Sequence, residues 1–243
     1  MTTRSQFIGR VREEVRKTQG LFMASPAARP IEPEDAALSV RREIALRWPE
    51  VLERFRKEFE QVGGVFHRVG GADEIPAVIG RIAASCRAAR VVTWDAAALG
   101  VDLEHGLRGL GLEVTVAEAG GEDDETRARH RTAAAEAGIG VTGVDLALAE
   151  TGTLILLSGR GRPRSTSLLP DSHVAVFGRG ALVESLEQVG VMLEALHADP
   201  DTAMSGAMIN FITGPSRTAD IELTLTRGVH GPKEVHAIFI ESL

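Results

Sequence analysis

Residues 65–94, VFHRVGGADEIPAVIGRIAASCRAARVVTW, decide the fold. Val65–Val69 is a short β-branched run, Asp73–Arg87 has the apolar spacing of a helix, and Arg90–Trp94 returns to strand. The rhythm continues with a helix over Asp102–Leu110, a strand over Leu112–Ala117 and a helix over Asp124–Ala137. Strands that alternate with helices need crossover connections, and crossovers imply a parallel sheet covered on both faces. The fold class predicted is α/β, a Rossmann-like sheet covered by helices.

Downstream of Gly138 the pattern changes. Asp145–Ala149 and Thr153–Ser158 are separated only by Glu150-Thr151-Gly152, too few residues for a crossover, so the pair reads as a hairpin. A loop over Gly159–Pro170, a strand at Val174–Phe177, a helix over Ala181–His197 and strands at Ile209–Thr213 and Val235–Ile240 complete the expectation. Upstream, Phe7, Val11 and Val15 repeat every four residues on a short amphipathic helix over residues 3–17. Pro26, Pro30 and Pro33 make Ala24–Pro33 a linker. A second helix runs from about Asp35 to Gln61, interrupted near Pro49 and ended by Gly63-Gly64. The expected organisation is a helical arm and linker over residues 1–33 and one α/β domain over residues 34–243.

Composition narrows the function. With 44% hydrophobic and 25% charged residues, the 243-residue chain has the make-up of a globular protein rather than a disordered one. A net charge of −7 argues against a broad nucleic-acid-binding face. Residues 1–60 hold 12 Lys+Arg against 10 Asp+Glu and the remainder 15 against 24, which sets the N-terminal arm apart. No apolar run is long enough to span a membrane, and charges stand where a signal peptide needs its apolar core, so a cytoplasmic protein is expected. Cys86 is the single cysteine, which excludes a four-cysteine cluster built by this sequence alone; on a helix, it reads as a small buried side chain. The histidines show no metal-ligand spacing such as HExxH, and no GxSxG or GxGxxG occurs in its required context.

Four stretches hold the candidate chemistry. Glu150-Thr151-Gly152 ends a strand, where the Glu150 carboxylate is either a solvated turn residue or a group facing a ligand. The loop with Arg160, Arg162 and Arg164, followed by Ser165-Thr166-Ser167, gathers donors suited to carboxylate or phosphate oxygens; a merely solvated loop is the other reading. Thr213-Gly214-Pro215-Ser216-Arg217-Thr218 looks like a helix opening, either capped by its own hydroxyls or converging on an anion, with Asp220 and Glu222 beyond it. His230, in Gly228-Val229-His230-Gly231-Pro232, is a proton carrier or a structural turn residue.

In order, Gly140-Val141-Thr142-Gly143-Val144-Asp145, Ala149-Glu150-Thr151-Gly152-Thr153, Ser167-Leu168-Leu169-Pro170 with His173, Gly214–Glu222 and Gly228–Pro232 resemble the LUD-domain family, in its lactate utilization protein C (LutC-like) branch. The resemblance covers about residues 35–243. It implies a fold similar to the NagB/RpiA/CoA-transferase-like group and a place in bacterial L-lactate utilization, the oxidation of lactate to pyruvate. It further implies no cofactor in this chain, with the iron–sulfur clusters carried by partner proteins. The matching site positions are Glu150, Thr151, Gly152, Arg164, Ser167, Ser216, Arg217, Thr218, Asp220, Glu222 and His230. Two functions follow. One is a non-redox component that binds a small anionic metabolite or supports the iron–sulfur proteins. The other is an enzyme of CoA-transferase-like or sugar-phosphate isomerase-like type using Glu150, with Arg164 and Arg217 on the charged end. The amphipathic helix adds a docking or homo-oligomerisation arm.

Overall fold

The computed structural model describes residues 4–17, 32–117, 124–198, 208–219, 225–228 and 230–242. Helix α1 spans Arg4–Lys17, as its four-residue apolar repeat predicts, and exposes Phe7, Ile8 and Val11. Residues 24–31 of the expected linker lie outside the described residues. Helix α2, Pro33–Gln61, bends at Arg47 (φ −134°, ψ 25°). The bend sits two residues ahead of Pro49, whose ring excludes the carbonyl four residues back and which has no N–H to donate.

The alternation then unfolds as read, with one short helix added after β2: β1 (Val65–Val69), α3 (Ile75–Cys86), β2 (Arg90–Thr93), the unexpected α4 (Ala96–Leu99), α5 (Glu104–Gly109), β3 (Glu113–Val116) and α6 (Asp124–Glu136). Strand β4, Ile139–Gly143, is an addition to the expected elements. The hairpin is present as β5 (Leu146–Leu148) and β6 (Thr153–Leu157), paired antiparallel. Within the expected loop, Ser165–Leu168 forms a short helix, α7, ahead of β7 (Ser172–Gly178). The long helix expected from Ala181 begins later: Leu182–Val183 is strand β8 and α8 runs Leu186–Ala198. Strand β9 is Ile209–Ile212 and β12 is Glu234–Ile240. Between them, Arg217–Ala219 (β10) pairs antiparallel with Leu225–Arg227 (β11), where a helix opening was expected. The reason is legible in Arg217–Arg227: polar Thr218, Asp220, Glu222 and Thr224 alternate with apolar Ala219, Ile221, Leu223 and Leu225, a period of two.

Six strands form one parallel sheet in the order β1-β12-β7-β4-β2-β3. Strands β4 and β7 are buried along their whole lengths, as a sheet covered on both faces requires. On one face α2 lays Phe55 against Phe59 and edge-on to Phe177, which packs on Phe239 of the neighbouring strand. Helix α3 buries Ile75, Val78, Ile79 and Ile82 in the same core. Cys86, expected to be buried, is exposed: it continues that spacing but is the last residue of α3, where the chain leaves the helix at left-handed Arg87. A second sheet, β8-β5-β6-β9, follows from the hairpin and stands against α2 and α8.

Candidate functional site

The closed end of the β5–β6 hairpin is the first meeting point. Gly152 turns the chain at φ +61°, and a Cβ there would fall 2.2 Å from the Phe59 nitrogen, so the turn is seated on the last turns of α2. Pairing of Leu154 with Ile212 brings Thr213 beside Thr153. Their hydroxyls lie 2.8 Å apart, and Thr151 Oγ1 lies 2.7 Å from Thr153 Oγ1, so three hydroxyls form a ladder leading to the surface.

Arg217 reaches the same helix end and donates from Nη2 to the Val62 carbonyl. Ser216 is clamped by the next turn: its N–H donates to Pro232 O at 2.9 Å, and its carbonyl accepts from Gly228 at 3.1 Å. That clamp brings the turn of exposed His230 to the Ser216 segment. Thr218 lies in β10, opposite Thr226. Asp220 and Glu222 lie outside the described residues.

The arginine loop is elsewhere. Leu157 pairs with Ile209 at the open end of the hairpin, and Arg164 contacts the sulfur of Met208 there. At about 3.3 Å per residue this end is roughly 13 Å along β6 from Thr153. Ser167 is buried and donates its hydroxyl to the Arg164 carbonyl at 3.1 Å. Two of the expected stretches therefore meet at the end of α2, while Arg164 and Ser167 stand apart from them. Glu150 turns toward the other edge of the sheet. Its N–H donates to Glu184 O, and its Oε2 accepts from Leu186 N at 2.9 Å, satisfying the first turn of α8. That contact does not favour Glu150 as the carboxylate of a CoA-transferase-like or isomerase-like site.

Sequence spacing did not single out the buried histidines. His67 on β1 stacks on His236 of β12 with ring centroids 5.4 Å apart, and His236 Nε2 lies 3.5 Å from Glu234. Burial, then the neighbouring His236 and Arg81, pushes the His67 pKa down to about 4. His173 is fully buried with Nε2 2.8 Å from Thr142 Oγ1, and burial brings it down to about 3. His130 is lowered by burial and meets Thr166 Oγ1 at 3.0 Å. The available signal was an imidazole inside an apolar strand run, as in EVHAIFI and SHVAVFG. Among the described residues, no group of three or more His, Cys, Asp or Glu side chains is placed to hold a metal ion. No described helix is long and apolar enough to cross a membrane. An open hollow of about 630 Å³ runs along α3 past Gly80, Ala84, Leu110 and Leu112, and none of the candidate residues lines it.

Comparison with known proteins agrees with the architecture. A crystal structure of a DUF162 family protein from Deinococcus radiodurans superposes with a TM-score of 0.53 at 22% identity, covering 79% of this chain and 97% of that one. Among sequences, lactate utilization protein C of Halalkalibacterium halodurans is 45% identical over 108 residues, 44% of this chain and 46% of that protein. The protein of that name from Bacillus licheniformis is 36% identical over 146 residues, 57% and 58% of the two chains. That from Shouchella clausii is 34% identical over 151 residues, 62% of each. The matched stretches span about half the length of these relatives. The model of the LUD domain matches residues 52–240, from the second half of α2 to the end of β12, and the chain belongs to the LUD-domain family.

Proposed function

We propose that this chain is a non-redox component of bacterial L-lactate utilization, acting in the cytoplasm, where it binds a small anionic ligand or supports iron–sulfur partner proteins. The observation that carries the reading is the similarity to proteins named lactate utilization protein C. The single cysteine supports the division of labour: clusters ligated by several thiolates belong on the partners, with no cofactor in this chain. The anion would sit at the end of α2, where Thr151, Gly152, Ser216 and Arg217 gather, with Thr218 next in β10 and the turn of His230 alongside; Asp220 and Glu222, candidates by sequence, lie outside the described residues. Arg164 and Ser167 would serve it only from the far end of the second sheet. Helix α1, with Phe7, Ile8 and Val11 exposed, is the docking arm for partners or a second copy.

Growth tests the assignment. A strain lacking this chain is expected to stop growing on L-lactate while growing normally on pyruvate; parental growth on L-lactate overturns the reading. Calorimetry on the full chain with L-lactate and pyruvate tests the site, with Arg217→Lys expected to weaken binding about tenfold through loss of the bidentate fork.

A further inference from the structure

A second site is written into the order of the strands. From β2 the chain moves outward to β3, then returns past β2 to β4, and β7 and β12 continue on the other side. Connections leaving the C-terminal ends of β2 and β4 therefore diverge, and in open α/β sheets this reversal point is where ligands settle. Here buried Trp94, directly after β2, lies beneath it and Asp145, two residues after β4, forms its rim.

The arginine loop closes over that rim. Gly159 and Arg162 exchange backbone hydrogen bonds of 3.2 and 3.0 Å, so the loop is a tight turn. It is pinned by three contacts. Arg162 Nη1 donates to Asp145 Oδ1 at 2.7 Å, the Arg162 guanidinium lies 5.6 Å from the centre of the Trp94 ring, and Trp94 Nε1 donates to Pro163 O at 3.3 Å. Asp145 is already half engaged, because its Oδ2 accepts from Leu157 N at 2.8 Å. The ion pair is thus single-pronged, and both side chains remain partly exposed, Arg162 at 34% and Asp145 at 18%. A guanidinium binds a carboxylate best through two parallel N–H donors, a geometry that Asp145 does not offer and a free carboxylate does.

We propose that the crevice between the C-terminal ends of β2 and β4 is a binding site for a small carboxylate anion, with Arg162 as its binding residue and Asp145 as the internal competitor that holds Arg162 until the ligand arrives. It is separate from the turn cluster at the end of α2, which lies at the other end of the hairpin. Trp94 is the built-in reporter, because the ligand withdraws the guanidinium from its ring.

The test uses the full chain carrying Trp48→Phe, which leaves Trp94 as the single tryptophan. Sodium pyruvate and sodium L-lactate are titrated at ionic strength held constant with sodium chloride, followed by tryptophan emission and by calorimetry. A saturable emission change is expected with at least one carboxylate, with apparent Kd raised about tenfold by Arg162→Lys, which keeps the charge and loses the fork. Asp145→Asn is expected to lower Kd several-fold; if it fails to fold, the Arg162→Lys comparison decides. No saturable change by either method overturns the proposal, as does binding equal in Arg162→Lys and the parent. Calorimetric binding weakened by Arg217→Lys and untouched by Arg162→Lys overturns it while leaving the turn-cluster reading intact.

Discussion

His67 Nε2 lies 3.2 Å from His236 Nδ1 across the β1–β12 pairing, so the two imidazoles share one proton position and cannot both be charged without placing like charges in contact. Both pKa values are held below the ordinary histidine value, by burial first, with Glu234 opposing the shift at His236. A histidine lowered in the folded state is neutral there but protonates in the unfolded chain below about pH 6.5, so stability falls as pH falls. For His67 the loss runs from about pH 6.5 down to its folded value of about 4. Fully buried His173 extends it toward about 3. Each such group contributes a slope of about 1.4 kcal/mol per pH unit within its window. Urea unfolding at pH 7.5, 6.0 and 5.0 is expected to show a falling midpoint, with a shallower fall in His67→Gln; equal slopes in the two proteins would contradict the assignment.

Gly140 is the second residue of β4, and a Cβ there would lie 1.8 Å from the Thr166 carbonyl of α7, where no flexible side chain can give way. Gly159, by contrast, has nothing within 4 Å of its would-be Cβ. Gly140→Ala is therefore expected to cost about 3 kcal/mol or more through overpacking of backbone against backbone, and Gly159→Ala to stay within about 0.5 kcal/mol. Thermal melts of the two variants check this, and a near-parental melt for Gly140→Ala would contradict the packing of α7 on the sheet.

The same glycine explains what escaped the sequence. Ile139–Gly143 reads IGVTG, and two glycines in five residues look like a loop; only the approach of α7, remote in sequence, makes glycine necessary in a central strand. The alternation over residues 65–137 was legible because each element carries its own period. Ala181–Val183 was absorbed into a helix because Leu182 falls at helical spacing with Leu186 and Val189, although Ser185, whose hydroxyl accepts from Gln188 N, marks the true start. For the site, the hairpin placed Glu150–Thr153 at one end and Asp145 and Ser158 at the other, which already separates the turn from the arginine loop. The pairing of β6 with β9, which delivers Thr213 to Thr153, is long-range and has no local signature.

Glu150 carries a testable structural role. Its Oε2 accepts from Leu186 N, one of the donors left open at the start of α8. Glu150→Ala removes the acceptor and is expected to cost about 1 kcal/mol, while Glu150→Gln keeps an oxygen in place and should cost less than half of that. Denaturant titrations of both variants check the order. A Gln variant as unstable as the Ala variant would mean that the negative charge, rather than the hydrogen bond, holds the helix.

Helix α2 divides the N-terminal region into a part the fold can lose and a part it needs. Phe55 and Phe59 are fully buried, with Val51 and Leu52 beside them, and together they cover the sheet face of Phe177 and Phe239. Truncating one buried phenylalanine costs about 3–5 kcal/mol, against a typical total stability of about 5–15 kcal/mol. Helix α1 exposes Phe7, Ile8 and Val11 instead, and none of the three belongs to that core. A chain lacking residues 1–31 is expected to melt cooperatively within a few degrees of the full chain, whereas one beginning at Gly63 loses both rings and does not melt cooperatively. Circular dichroism on the two truncations decides the matter: if the shorter chain melts like the full one, the aromatic stack of α2 is not what seals the sheet. Light scattering on the chain lacking residues 1–31 separately asks whether α1 holds copies together, since a drop in mass relative to the full chain would assign that task to the helix that exposes Phe7, Ile8 and Val11.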